Sequence, residues 1–176
     1  TDLSYKERPV IATALYGLIC PPEGADTLIA NMMAAYDALP EERRQQLDGR
    51  QIHHSYHRWM ASREDRAPLT PEQKAMTPDV HHPLVRTHPV TGRKALFLGT
   101  GTVMGLDGMP EAEGKALVDE LVEYATQERF IHRHQWRAGD FLMWDNRSTM
   151  HTGTLFDDTK YVRKVYRMMI KGDAPF

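Results

Sequence analysis

Two arginines near the end of the chain have the spacing that most invites a chemical interpretation. Arg163 and Arg167 lie four residues apart in residues 161–170, whose composition predicts a β-strand. Because alternate side chains of a strand point the same way, both guanidinium groups would lie on one face. If that face is buried, each arginine needs an anion, and a guanidinium suits a carboxylate. A solvated face without a ligand is the alternative, and the spacing does not decide between them.

Asp2 and His151 are candidate metal ligands at opposite ends of the chain. Carboxylate and imidazole groups both bind first-row transition metals. Such a pair occurs in almost any chain, however, so it has little weight until other residues support it.

Other histidines compete for a metal role. His53, His54 and His57 include the i, i+4 spacing of one helical face, and His132 and His134 alternate on a predicted strand. Either group could hold zinc, but neither is accompanied by cysteines or by a second ligand pair at typical spacing. We therefore do not expect zinc there, and residues 53–57 fit a lid that touches substrate better.

The predicted strands cluster at both ends of the chain, and the helices lie between them. Apolar and β-branched runs predict strands over residues 9–20, 131–136, 141–144 and 161–170, and a hairpin over 84–98. The first residues, around Asp2, also read as a strand. Helical spacing predicts helices over 28–39, 40–47 and 111–126, with Asp26 and Thr27 as N-caps of the first. This order favours an antiparallel sandwich or jelly roll with helical insertions over alternating βαβ units.

Residues 51–83 break the pattern. The segment is polar, rich in histidine and interrupted by four prolines. A long irregular stretch inside one domain is typical of a lid or binding loop, so we predict a lid loop over 51–83.

The composition is that of an ordinary globular domain. Hydrophobic residues make up 41% and charged residues 26% of the 176 residues, which predicts a single domain over 1–176. No apolar run approaches the roughly 18 residues of a membrane helix. The net charge of −2 gives no reason to expect nucleic acid, and one cysteine favours a reducing cytoplasm.

Four stretches of the chain resemble motifs of one family, and they follow one another in the order that the family has. Residues 136–151 (WRAGDFLMWDNRSTMH) resemble the distal motif of the taurine and 2,4-dichlorophenoxyacetate dioxygenase family. The hairpin 82–92 (HPLVRTHPVTG), the turn 24–27 (GADT) and the ending 172–176 (GDAPF) resemble it too. The resemblance implies a double-stranded β-helix (jelly roll) and a dioxygenase that uses Fe(II) and 2-oxoglutarate.

The resemblance also implies roles for individual residues. The family holds iron with a His-x-Asp pair and a distant histidine, which leaves three coordination positions open. Asp2 matches the carboxylate and His151 the distant histidine. Thr27 and Arg163 match residues that bind 2-oxoglutarate, and Arg167 matches an arginine that meets the near carboxylate or an anionic substrate.

Two further expectations concern residues 144–147. Asp145 and Arg147 belong to the motif, but a structural salt bridge between them is expected rather than catalysis. Trp144 is expected to pack as a wall beside the metal.

The first histidine of His-x-Asp would fall immediately before Thr1. We therefore expect the chain to be the C-terminal two-thirds of such an enzyme, with an N-terminal part missing and iron bound weakly or not at all. The implied reaction oxidises a small, anionic organic substrate with dioxygen, releasing succinate and carbon dioxide. Hydroxylation, desaturation, C–S cleavage and ether cleavage are not separated by these residues. A homo-oligomer is expected.

Two rival hypotheses stay open. One is a cupin-type metal reaction without 2-oxoglutarate, against which the matches at Thr27 and Arg163 argue. The other is a metal-free binding module, which the missing histidine supports.

Overall fold

A computed structural model describes residues 2–176. The strands, in chain order, are β1 (Ala12–Ile19), β2 (Thr27–Asn31), β3 (Gln51–His54), β4 (Val80–Pro83), β5 (Val85–Thr87), β6 (Lys94–Leu96), β7 (Val103–Leu106), β8 (Ile131–His134), β9 (Phe141–Asp145), β10 (Thr149–Gly153) and β11 (Lys164–Ile170). The helices are α1 (Met32–Asp37), α2 (Glu41–Leu47), α3 (Tyr56–Ala61), α4 (Pro71–Ala75) and α5 (Glu111–Ala125), with a short 3-10 helix over Glu128–Phe130. None of these helices is long and apolar enough to cross a bilayer.

Two three-stranded antiparallel sheets position the candidate site. One has the order β11-β1-β9 and the other β10-β2-β8. Side chains from both sheets pack in one small apolar cluster, where Leu15 of β1 and Trp144 of β9 meet Ile29 of β2. The mainly β prediction is therefore confirmed, and so are the predicted hairpin and the helices at 40–47 and 111–126.

The predicted strand at residues 9–20 is present as β1, the central strand of its sheet. Residues 12–15 are buried, because β1 has a partner strand on each side and packs against the second sheet. The prediction of a strand around Asp2 is wrong: residues 2–5 form a turn, with Leu3 at a φ of 55°. Thr1 lies outside the described residues.

The predicted helix at 28–39 is wrong in its first turn. Residues 28–31 belong to β2, which lies between β10 and β8, and α1 begins only at Met32. The N-cap is Asn31, whose side chain accepts a hydrogen bond from the Ala34 amide, so Asp26 and Thr27 are not caps. Tertiary pairing overrode the helical spacing, which a short apolar run shares with a buried strand.

The sequence also missed β10, which holds His151. Residues 149–153 are mostly small and polar, so they do not show the apolar alternation of a half-buried strand. They nevertheless pair along their whole length with β2, from Thr149 opposite Asn31 to Gly153 opposite Thr27. At the C-terminal end, β11 begins at Lys164, so Arg163 precedes the strand in which it was predicted to lie.

Residues 51–83 are not the irregular loop that was predicted. Their ends form β3 and β4, which pair with each other, and β3 also pairs with β7. Two short helices, α3 and α4, lie in the excursion between them. Proline at the start of α4, with Thr70 and Gln73 in a capping box, shows that part of the polar composition encodes helix ends. The lid role stays a prediction.

Most of the core lies on the other side of β2. The buried apolar residues of α1 and α5 pack there against strands β3, β5, β6 and β7. The methionines at 32 and 33 are buried in this core, as their spacing predicted.

Candidate metal centre

The fold brings Asp2 and His151 together from opposite ends of the chain. Nε2 of His151 lies 3.7 Å from Oδ2 of Asp2. Asp2 is in the turn that precedes β1, and His151 is the middle residue of β10. The distance is too long for a hydrogen bond. One ion with bonds of about 2.1 Å to each atom could still reach both.

A chain of hydrogen bonds from the sheet fixes the Asp2 carboxylate. The hydroxyl of Thr13, a fully buried residue of β1, donates to Oδ2 of Asp2 at 2.6 Å. Nδ2 of Asn146 donates to that hydroxyl at 2.8 Å, and the Trp144 indole donates to Oδ1 of Asn146 at 3.2 Å. The Asp2 amide also donates to Oδ1 of Asn146, at 3.3 Å. The carboxylate is therefore held by side chains that are themselves locked in the core.

Arg167 lies at the same carboxylate. Its Nη2 donates to Oδ1 of Asp2 at 2.6 Å, while about half of its side chain is exposed. The strand prediction is correct for this arginine, which sits in β11 opposite Leu15 of β1. In this structure its anionic partner is Asp2, so a role toward a cosubstrate or substrate stays a prediction.

The protonation states of the pair suit a metal ion. Burial opposes ionisation of Asp2, but the Thr13 hydrogen bond, the charge that His151 carries when it is protonated and the charge of Arg167 outweigh it and hold the pKa of Asp2 below its usual value. Burial, together with nearby positive charges such as Arg167, lowers the pKa of His151 below its usual value. The site therefore presents an ionised carboxylate and a neutral imidazole at neutral pH, the forms in which both groups bind metals.

Trp144 packs beside His151, while its expected place as a wall beside the metal stays a prediction. The two rings have their centroids 4.5 Å apart and are tilted by 52°, and Trp144 is buried. Nδ1 of His151 is also buried and has no hydrogen-bond partner among residues 2–176. The indole therefore fixes the imidazole by packing, while Nε2 points toward Asp2.

A second cluster gathers Thr27 and Arg163. Thr27 is buried in β2, and its hydroxyl accepts a hydrogen bond from the Trp136 indole at 2.9 Å. The Arg163 guanidinium lies 5.8 Å from the centre of the Trp136 ring. Its Nε is buried and finds no acceptor within the described chain. Because the Thr27 hydroxyl and the partly buried Arg163 guanidinium both contact the Trp136 indole, and the Arg163 Nε is buried and unpaired, these residues are a candidate slot for a carboxylate.

Asp145 and Arg147 form a separate, structural cluster, as predicted. Arg147 donates to both oxygens of Asp145, at 2.6 to 3.1 Å. Nδ1 of His88 accepts from the amides of Val90 and Thr91, so the proton lies on Nε2, which donates to Oδ2 of Asp145 at 3.0 Å. These contacts hold the pKa of Asp145 at about 2 against the opposing effect of burial.

The alternative zinc sites are not supported. Among residues 2–176, no three His, Cys, Asp or Glu side chains lie within reach of one ion. His53 and His57 both contact Asp79, at 2.9 and 3.2 Å, and His134 contacts Asp140 at 3.3 Å. These histidines are paired with carboxylates. Asp2 and His151 are likewise two candidate ligands without a third among the described residues.

The family is shown by direct comparison. The model of the taurine catabolism dioxygenase TauD, TfdA family matches residues 1–169. The chain therefore belongs to this family, and the family predicted from the four motifs is confirmed.

Individual relatives agree with that assignment. The alpha-ketoglutarate-dependent 2,4-dichlorophenoxyacetate dioxygenase of Burkholderia sp. (strain RASC) is 39% identical over 90% of this chain and 53% of its own length. The alpha-ketoglutarate-dependent sulfate ester dioxygenase of Pseudomonas putida is 35% identical over 99% of this chain and 60% of its own. The crystal structure of AAD-2 with Mn(II) and N-oxalylglycine aligns with a TM-score of 0.89 and 35% identity, over 99% of this chain and 68% of that one. The chain thus spans about half the length of the curated relatives it matches.

Two residues of the site were not singled out from the sequence. Thr13 lies in an otherwise apolar strand. Its lone hydroxyl at a fully buried strand position is the signal that could have identified it as a residue of the site. Asn146 lies inside the 136–151 motif but received no role; it is 1% exposed and joins Trp144, Thr13 and the Asp2 amide. The Asn146 side chain positions Asp2 through contacts that form only in the tertiary structure.

Proposed function

We propose that this chain forms the greater part of the catalytic domain of an Fe(II)- and 2-oxoglutarate-dependent dioxygenase. The observation that carries the proposal is the convergence of Asp2 and His151 beside a separate carboxylate slot at Thr27 and Arg163. Family membership and the alpha-ketoglutarate-dependent relatives support it.

A carboxylate and an imidazole, here Asp2 and His151, are suitable ligands for a ferrous ion. The family uses three protein ligands, so one more is needed. Asp2 would supply Oδ2 and His151 would supply Nε2, and the family pattern puts the third ligand at the histidine that precedes the x of His-x-Asp. Bound iron, with 2-oxoglutarate and dioxygen, supplies the oxidising power for attack on a C–H bond, with succinate and carbon dioxide as products. The protein holds the ligands in place through Thr13, Asn146 and Trp144.

We assign 2-oxoglutarate to the slot at Thr27 and Arg163. The Thr27 hydroxyl accepts from Trp136 and can donate its own proton to a carboxylate oxygen. The unsatisfied, buried Nε of Arg163 gives the same carboxylate a charged donor.

We also propose that the fold is a double-stranded β-helix. Its support is the pair of three-stranded antiparallel sheets that share the cluster around Leu15 and Trp144. For the substrate, we propose a small organic anion. Arg167 is half exposed beside the candidate metal ligands, and the relatives' names specify a phenoxyacetate and sulfate esters. A cytoplasmic location and a homo-oligomeric state stay predictions.

The test is an anaerobic titration of the full-length protein with Fe(II) and 2-oxoglutarate. Iron chelated by the keto acid gives a weak visible charge-transfer band, so we expect that band to saturate at one equivalent of each. Omitting 2-oxoglutarate, or replacing it with succinate, is the control and should give no band. Iron binding without the band would favour a cupin-type reaction. The absence of both would favour a metal-free module.

A further inference from the structure

A cavity of about 490 Å³ opens beside His151. Its walls are mostly apolar and include Leu3, Tyr5, Trp59, Met150 and the loop at residues 99–102. Such a volume lies within the range of small-molecule sites, which have mainly apolar walls. It is lined on one side by a candidate metal ligand, so a molecule in it would lie next to the proposed reaction centre.

Aromatic side chains hold Trp59 in the wall of this cavity. Tyr5 and Tyr56 stack with ring centroids 4.3 Å apart, and Tyr56 packs on Trp59 at 5.6 Å. The Arg63 guanidinium lies 5.4 Å from the centre of the indole. The helix α3 that carries Trp59 is capped by Ser55. The indole is therefore braced through Tyr5 by the turn that contains Asp2.

Gly101 lies against the indole of Trp59. A Cβ atom at this residue would lie 2.5 Å from Nε1 of Trp59 and about 3 Å from two further indole atoms. Only glycine lets the loop backbone approach the ring so closely, because any side chain would overlap it. The loop itself is anchored: the carbonyl of Thr102 accepts from the Ser55 amide at 2.8 Å, and its hydroxyl lies 3.1 Å from Nδ1 of buried His54.

We propose that Trp59, seated against Gly101, is the stop that limits the size of the apolar part of the substrate. The inference rests on the proposed function, because it takes the cavity beside His151 as the substrate site. The indole is a large, rigid group at the wall, and its position is determined from three sides by Tyr56, Arg63 and the Gly101 backbone. A longer apolar group would have to displace the ring, and the close contact with Gly101 opposes that movement.

The probe is a series of ω-phenylalkanoates, from phenylacetate to 6-phenylhexanoate, bound to the full-length protein. Calorimetry under anaerobic conditions, with Fe(II) and 2-oxoglutarate present, gives the affinity for each chain length without relying on turnover. In the wild type we expect affinity to rise with length and then to fall at least about tenfold when one methylene too many is added. The Trp59→Ala variant should bind the longer acids and move that fall by at least one methylene, with Trp59→Phe between the two.

Two glycine variants complete the design. Gly101→Ala must displace the indole, so the chain length at which affinity falls should change. Gly49→Ala is the matched control: its Cβ meets nothing within 4 Å, and its φ of +76° makes the substitution strained without touching the cavity. It should lose stability and keep the wild-type length preference.

The outcomes separate the two proposals. The same length preference in wild type, Trp59→Ala and Gly101→Ala would overturn the role of Trp59, even if the iron chelate forms normally. Failure of every phenylalkanoate to bind the wild type would also overturn it. Failure of the proposed function shows itself separately, as the absence of the chelate band in the same samples.

Discussion

Residues 144–147 contribute to two polar clusters, and the atoms of Asp145, Arg147 and His88 are more completely paired than those of His151, although Arg86, a buried neighbour of Asp145, also has an unpaired Nε. Around Asp145, the His88 ring and the Arg147 guanidinium donate hydrogen bonds to the carboxylate. The second nitrogen of His88 accepts hydrogen bonds from backbone amides. Around His151, Nδ1 is buried without a partner among the described residues, and in the separate Thr27 cluster the Nε of Arg163 is likewise buried and unpaired. A buried donor or acceptor left unpaired costs about 1–3 kcal/mol. The first cluster thus stabilises the fold, and the second retains binding capacity at the expense of stability.

The largest expected effect is on metal binding. His151→Ala removes one of the two described ligands, so the affinity of the full-length protein for Fe(II) should fall by at least about 100-fold, measured by anaerobic equilibrium dialysis. The unfolding midpoint in urea should change little. His132→Ala, an exposed histidine on β8, is the control and should bind iron normally. Normal iron content in His151→Ala would place the metal elsewhere.

The next effect concerns the cosubstrate. Arg163→Ala removes the buried charged donor of the slot, so the dissociation constant for 2-oxoglutarate should rise about 100-fold. The chelate titration measures it directly. Arg163→Lys should recover only part of the affinity, because an ammonium does not reproduce the guanidinium geometry. Lys164→Ala, the exposed neighbour, is the control. An unchanged constant in Arg163→Ala would remove 2-oxoglutarate from this slot.

The structural cluster should show the reverse pattern. Asp145→Ala leaves Arg147 and His88 without their anion, so the free energy of unfolding should fall by about 2–3 kcal/mol in urea denaturation. Iron affinity of the folded protein should stay within about twofold. Asp157→Ala removes exposed contacts with Lys160 and Thr159 and should lower the free energy of unfolding by much less. Equal losses in the two variants would mean that the Asp145 cluster does not stabilise the fold.

The Asp145 cluster should also make the free energy of unfolding decrease at acidic pH. The pKa of Asp145 is about 2 in the folded protein, below its ordinary value of 3.8. An unfolded chain therefore takes up the proton first, and the stabilisation is present above pH 4 and is lost as the pH falls toward 2. The shift corresponds to about 2 kcal/mol. The unfolding free energy of Asp145→Ala should fall less steeply over this range. Parallel pH profiles would contradict the assignment.

The smallest expected effect is at the support of the site. Trp144→Phe removes the indole donor to Asn146 but keeps an aromatic ring beside His151. We expect a loss of about 1 kcal/mol of stability and a reduction of iron affinity by a few-fold. Thermal denaturation and dialysis measure the two quantities. A loss of iron affinity as large as that of His151→Ala would show that Trp144 does more than hold Asn146.

Some of this comparison was predictable from the sequence. The salt bridge between Asp145 and Arg147 was expected from the sequence and is present, and the family resemblance paired Asp2 with His151, which the fold brings within 3.7 Å; the ligand role of His151 stays a prediction. Residues that depend on long-range pairing were missed: β10 has no apolar alternation of its own, and the 28–31 segment has a pattern that helix and strand share. Thr13 and Asn146 were missed because their partners are distant in the sequence. Asn146 reaches Thr13 across 133 positions, and no local pattern records such a contact.

The two clusters are interleaved along four consecutive residues, and this constrains how the segment can evolve. Trp144 and Asn146 turn toward Asp2, whereas Asp145 and Arg147 turn toward His88. Single substitutions can therefore be selected in one cluster with little effect on the other. Loss or gain of one residue is different, because these residues span the end of β9 and the turn that follows it, and such a change would move several of the four side chains away from their partners at once. We expect this stretch to tolerate point changes at some positions but no change in length.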